Sequence, residues 1–167
     1  VCAGAASHTL LSPRGIRLPM APVFGYSVSA PLREATHAPL TSALDVQEQI
    51  TITRQGQRVR ITGGAELGSP QAAHHHATLQ KLYRTVNDWF PGGAQLSGPL
   101  QIWRGARPTL TDGAPALGST ALPGIWLNTG HGAGGWALAC GCARALADML
   151  SQRTPEISVQ GLEAQRF

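Results

Sequence analysis

Gly130-His131-Gly132-Ala133-Gly134-Gly135-Trp136 lies between an apolar run, Ile125-Trp126-Leu127, and a helical pattern running from Trp136 to Leu150. The order predicts a strand, a loop almost without side chains, and a helix whose first turn offers unpaired backbone N–H groups and the positive end of a dipole. Such a junction lets an electron-rich group come close to the backbone. Gly130, Gly132 and Gly135 satisfy G-x-G-x-x-G. A dinucleotide fingerprint also needs a following strand and an acidic residue about 20 positions further on. Only a short polar tail follows the helix here. Three readings stay open at this point: a literal dinucleotide fingerprint, a loop needed only for tight turning, and a loop that meets a cofactor held mainly by other residues.

Working outward, the composition is that of a folded chain: 167 residues, 43% hydrophobic and 13% charged, enough for one domain with a core or for part of a larger one. The net charge of +4 rests on one lysine, Lys81, and on scattered arginines. With no basic block and no aromatic residues interleaved with one, nucleic acid is not the expected partner, whereas the arginines suit small anions. The cysteines are Cys2, Cys140 and Cys142. The last two are two positions apart on one helix, so their side chains diverge, and all three read as small buried thiols. No metal site is expected, because His74-His75-His76 points around a helix rather than along one face. No run reaches membrane-spanning length, and no signal peptide opens the chain.

Val1-Cys2-Ala3-Gly4-Ala5 reads as the interior of a longer chain, a strand end entering a turn, and the expectation is a C-terminal portion. A short helix over 5–11 is ended by Pro13-Arg14-Gly15, and the alternation from Pro22 to Leu32 predicts a strand carrying Tyr26. Ile50 to Arg54 and Arg58 to Thr62 predict a hairpin turned by Gly56, with Arg54, Arg58 and Arg60 on a solvated face and an irregular strand or bulge from Gly63 to Leu67. Ser69-Pro70 predicts a helix start, and Leu79, Leu82, Tyr83 and Val86 its core face, ended by Pro91-Gly92. Leu100 to Trp103 predicts a strand leading into a constrained Arg104-Gly105-Ala106-Arg107-Pro108 segment, then a turn at Asp112-Gly113. An arginine held in such a segment suits bidentate carboxylate recognition or a structural ion pair. The sequence holds no G-x-S-x-G, no H-E-x-x-H and no carboxylate pair spaced for acid/base work, so any chemistry falls to a cofactor.

W-R-G-A-R-P-T-L-T-D-G-A-P-A-L-G (Trp103 to Gly118), followed by the stretch from Ile125 to Asp148, resembles the C-terminal signature of flavin-dependent amine oxidoreductases of the D-amino-acid oxidase superfamily. Within it the D-amino-acid dehydrogenase small-subunit group is the nearest. V-C-A-G-A, P-V-F-G-Y-S (Pro22 to Ser27), R-V-R-I-T-G-G-A-E-L-G and P-E-I-S-V-Q-G-L are similar to that group too, so the resemblance spans nearly the whole chain.

The resemblance implies an α+β fold with an antiparallel or mixed substrate-domain sheet and flanking helices. Residues 1–124 would form most of the substrate domain and residues 125–167 the strand, loop and helix of the FAD-binding domain. It implies FAD in the intact enzyme, contacted by Gly130, His131, Gly132, Ala133, Gly134, Gly135 and Trp136 and by Ala3 and Gly4. Arg107 would hold the substrate carboxylate, and Tyr26 would lie near the substrate. The implied reaction is oxidative deamination of a D-amino acid to a 2-oxo acid and ammonia, by hydride transfer to the flavin, with no general base evident. A quinone or the respiratory chain would take the electrons, and the location would be cytoplasmic or peripheral on the inner membrane. The group's N-terminal Rossmann unit is not in this sequence, so the chain alone is expected to lack FAD and activity and to expose apolar surface that favours a homodimer. A glycine- or sarcosine-type amine oxidase and a non-catalytic binding domain remain the alternatives.

Overall fold

Strict alternation of β-branched and polar residues builds the central hairpin of this computed structural model, which describes residues 1–69 and 71–167. Numbered in chain order, the elements are α1 (Ser7–Leu11), β1 (Met20–Pro31), β2 (Ala43–Asp45), β3 (Ile50–Gln55), β4 (Arg58–Leu67), α2 (His76–Trp89), β5 (Gln101–Leu110), β6 (Ala116–Ser119), β7 (Trp126–Thr129) and α3 (Gly135–Leu150). In the hairpin Gln55 pairs with Arg58 and Ile52 with Ile61. Gly56 makes the turn at φ 59°, a backbone angle that L side chains resist. A five-stranded sheet follows the order β2-β3-β4-β1-β5, and β6 and β7 form a separate antiparallel pair.

The chain divides into two compact units, Phe24–Gly105 and Val1–Val23 with Ala106–Phe167. In the Phe24–Gly105 unit, the inward residues Tyr26, Val28, Ile50, Ile52, Val59 and Ile61 form one core with Leu79, Leu82 and Val86 of α2. Complete burial of an aliphatic side chain such as Ile61 or Leu82 contributes about 1.5–3 kcal/mol. In the other unit, Leu11, Leu18, Leu110, Ala116, Leu127 and Ala164 form a second core.

Several elements differ from the sequence expectation. Helix α2 begins at His76, seven residues after the serine read as its cap. The Ser69 hydroxyl accepts the Gln71 N–H at 3.2 Å, closing a local turn, and Pro70 lies outside the described residues. The histidines therefore precede the helix or open it, and among the described residues no group of His, Cys, Asp and Glu is placed to hold a metal. Strand β5 does not end at Trp103 but takes in the constrained Arg104 to Pro108 segment and runs to Leu110. It lies at the end of the strand order, the place in a sheet where a proline is tolerated. Arg58 and Arg60 are half-buried and bonded to Ser29 and Ser27, so their face is not simply solvated. Cys142 is buried, which pushes its thiol pKa up, but Cys2 and Cys140 are exposed.

Gly64 marks the irregularity expected in β4. Its φ of 82° shifts the alternation of β4, so that after the inward Val59, Ile61 and Gly63 the next inward side chain is Glu66.

Candidate functional site

In the Val1–Val23 and Ala106–Phe167 unit, β7 delivers the glycine loop. Buried Leu127 and Thr129 anchor the strand, and the Thr129 hydroxyl bonds Ser7 Oγ at 3.0 Å and Gly4 O at 3.4 Å. The Asn128 N–H donates to Val1 O at 3.0 Å. The Ala3-Gly4 step thus lies beside the strand that carries the loop, and two segments distant in sequence meet. Gly130 turns the chain at φ 81°, and a Cβ there would lie 2.4 Å from Leu110 Cδ1, so only glycine fits. Gly132, at φ 53°, starts a single 3₁₀ turn that leads into the 16-residue α3.

The start of α3 carries no side-chain cap and no acidic residue in its first turn. Its first N–H groups and the positive end of its dipole are therefore offered to an electron-rich partner. An antiparallel bridge pairs His131 with Thr109, two residues beyond Arg107 on β5. Arg107 and Thr109 share one side of the strand, so the loop is tied to the strand end that bears the guanidinium. Burial holds the His131 imidazole below its ordinary pKa and hence neutral at pH 7, and its Nε2 is buried without a hydrogen-bond partner. An orphaned ring nitrogen beside an uncapped helix start suits a partner that carries its own polar edge.

The Phe24–Gly105 unit holds Tyr26, and its surroundings could not be read from local pattern. Tyr26 is buried, donates to Glu66 Oε2 at 2.9 Å and accepts the His75 N–H at 2.8 Å. Glu66 Oε1 accepts from the Thr78 hydroxyl, and His75 Nδ1 stands 3.5 Å away. Burial alone would raise the Glu66 pKa, but the bonds from Thr78 and Tyr26 outweigh it and hold the carboxyl below its ordinary value. Arg104, the other arginine of the motif, lies 3.7 Å over the Phe24 ring and donates to Ser69 O at 3.2 Å. Sequence reasoning missed Glu66. The only signal for it was the Gly63-Gly64 pair that reverses the strand's facing.

The structure thus gathers Ala3, Gly4, Arg107 and the Gly130 to Trp136 loop in one unit, while Tyr26 belongs to the other.

Residues 1–149 match the family described as FAD dependent oxidoreductase. The D-amino acid dehydrogenase of Cereibacter sphaeroides is 42% identical over 167 residues, covering 100% of this chain and 38% of that protein. That of Bradyrhizobium diazoefficiens is 40% identical over 164 residues, 98% of this chain and 39% of that protein. The chain therefore spans about two fifths of the length of these relatives. Among solved structures, glycine oxidase from Geobacillus kaustophilus superposes with a TM-score of 0.79 at 21% identity, over 98% of this chain and 44% of that one. L-proline dehydrogenase from P. horikoshii does so at 0.81 and 18%, over 99% and 46%. These likenesses show a shared fold, and with the match over residues 1–149 they establish that the chain belongs to the DAO family of FAD-dependent oxidoreductases.

Proposed function

We propose that this chain is the C-terminal part of an FAD-dependent D-amino-acid dehydrogenase. The observation that carries the reading is the Thr109–His131 bridge, which joins a backbone surface suited to the flavin to the strand end bearing Arg107. The names of the relatives at 40% and 42% identity supply the substrate class.

The residues present fit the cofactor. Gly130 and Gly132 keep the backbone bare, and the uncapped start of α3 would offer its N–H groups to an electron-rich ring edge. His131, Ala133, Gly134, Gly135 and Trp136, with Ala3 and Gly4 beside β7, complete the assigned contacts. When bound, FAD supplies the acceptor for the two electrons that leave the substrate with its α-hydrogen.

This chain's own residues bind, orient and balance charge. The positive end of α3 stabilises negative charge that collects beside it, by about 0.3–1 kcal/mol per favourable contact. Neutral His131 adds no charge of its own there. Arg107 holds the substrate carboxylate and so fixes the orientation of the α-carbon, which presents its single hydrogen in one enantiomer only; orientation of this kind lowers a barrier by several kcal/mol. Tyr26 is assigned a place near the substrate, where its bonds to Glu66 and His75 suit a positioning part. Loss of the α-hydrogen leaves an imino acid, which water hydrolyses to the 2-oxo acid and ammonia. Residues 125–167, with the Ala3-Gly4 step, are assigned to the flavin side, and the remainder of 1–124 to the substrate side.

A quinone or the respiratory chain is the assigned electron acceptor, and the assigned location is cytoplasmic or peripheral on a membrane. Among the described residues no helix is long and apolar enough to cross one. The test is turnover by the protein that carries this chain, with D- and L-amino acids and either a redox dye or oxygen as acceptor. Dye reduction with D-enantiomers and little peroxide is expected. Turnover confined to L-enantiomers, or peroxide formed in step with substrate loss, would contradict the proposal.

A further inference from the structure

On β1 and β4 the residues that alternate with the core are Ser27, Ser29, Arg58 and Arg60, and they form the sheet face opposite α2. Arg58 is turned back onto the protein: its Nε donates to Ser29 Oγ at 2.7 Å and its Nη2 to Ser29 O and Pro99 O. Arg60 differs. Its Nε donates to Ser27 Oγ at 2.8 Å, but among the described residues neither terminal amino group meets an acceptor, and no carboxylate pairs with either arginine.

Arg60 lines a groove of about 370 Å³ with Ser27, Ser29, Gln55, Gln101 and Trp103, and no acidic residue is among these. Trp103 is 64% exposed, and its indole lies along the strand over Gly105, where a Cβ would stand 1.8 Å from the ring. The glycine leaves the space that the indole occupies, and Trp103 forms one wall of the groove. An exposed indole beside a half-buried guanidinium with unbonded donors pairs an apolar platform with an anion fork. The volume suits a small organic molecule.

We propose that Arg60 and Trp103 form a binding site for a small organic carboxylate with a flat apolar body. The Arg60 amino groups take the carboxylate as a bidentate pair, Ser27 holds the guanidinium plane from behind, and the body stacks on the Trp103 indole. The argument uses only residues between Phe24 and Gly105 and does not rest on the flavin reading.

The test is calorimetric titration of the protein that carries this chain with 2-naphthoate, and with 2-naphthylmethanol as the uncharged counterpart. Naphthoate should bind at least about tenfold more tightly than the alcohol, the size expected of a charge-assisted pair. Titrated in the Arg107→Leu protein, which removes the substrate-carboxylate contact, naphthoate should still bind; there Arg60→Gln should weaken it at least about tenfold and Trp103→Ala should weaken both ligands. Trp103 is largely in solvent, so its replacement carries the test should Arg60→Gln fail to fold. Equal affinity for the two ligands, unchanged affinity in Arg60→Gln or Trp103→Ala, or loss of binding in Arg107→Leu would overturn the proposal.

Discussion

Arg104 and Arg107 lie three positions apart on one strand, yet their surroundings give them different parts. Arg104 is committed to the Phe24 ring and the Ser69 carbonyl, so Arg104→Leu should cost about 1–2 kcal/mol of folding stability through the lost cation–π contact and hydrogen bond, with little change in kcat/KM. Arg107→Leu should instead lower kcat/KM for D-amino acids by roughly 30- to 1,000-fold, which is about 2–4 kcal/mol of carboxylate recognition. Steady-state kinetics beside denaturant melts on both variants separates the roles, and the reverse assignment would place the carboxylate at Arg104. Gly130 gives a second residue-scale outcome. Gly130→Ala would force an alanine to φ 81° and drive its methyl into Leu110, at a combined cost of about 2–4 kcal/mol. Gly124, at φ 80° with open space around its Cα, should bear alanine at about 1–2 kcal/mol, the backbone penalty alone. Equal losses at the two sites, read from chemical melts, would count against the close approach at Leu110.

At the scale of elements, the start of α2 is set by a clip between β1, β4 and the helix. Tyr26 bridges the Glu66 carboxylate and the His75 N–H, and Thr78 closes the loop from the first turn. Tyr26→Phe should therefore cost about 1–3 kcal/mol and raise amide exchange selectively over 75–79. Uniform exchange across α2 would show that the clip does not hold the helix end. Glu66 also fixes a pH dependence. Its folded pKa lies below the ordinary carboxylate value, so its contribution is fully present above the unfolded pKa of about 4.5 and is lost as pH falls through the folded one. Glu66→Gln should flatten the acid limb of the stability profile, and an unchanged limb would assign the acid sensitivity elsewhere. The clip also shows what local pattern can and cannot carry. The Gly56 hairpin, the Leu79, Leu82 and Val86 face, and the strand, loop and helix around Gly130 were legible because each follows from neighbours in sequence. The true start of α2 was not, because the group that caps it comes from 49 residues away. Strand β5 hid for a related reason: a proline argues against a strand unless the strand lies at an edge, and edge position is a property of the sheet. At the candidate site the loop was legible from its glycines, whereas the inward turn of Glu66 depended on one irregularity in β4 and the seating of Trp103 on Gly105.

For the whole molecule, the surface at the start of α3 carries the clearest signal. Trp136 is 96% exposed and residues 137–141 are exposed with it, although an apolar helix start of this kind is ordinarily covered. Together with a match to only 38% of its relatives' length, this predicts that the chain on its own self-associates and holds FAD weakly. The loop's contribution of about 0.3–1 kcal/mol per charge contact is small beside the cost of about 4 kcal/mol or more for immobilising a large ligand. Sedimentation should show association rising with concentration, and flavin fluorescence should show no binding tighter than about 1 μM, the level at which some 8 kcal/mol of affinity would need a fuller site. The most direct test of the central claim is anaerobic reduction of the flavin in the protein that carries this chain. D-amino acids should bleach the oxidised flavin band while their L-enantiomers leave it intact, and Arg107→Leu should raise the half-saturating D-amino-acid concentration by at least about 30-fold. A bound flavin that no D-amino acid bleaches, or one bleached with equal ease in the Arg107→Leu variant, would contradict the account.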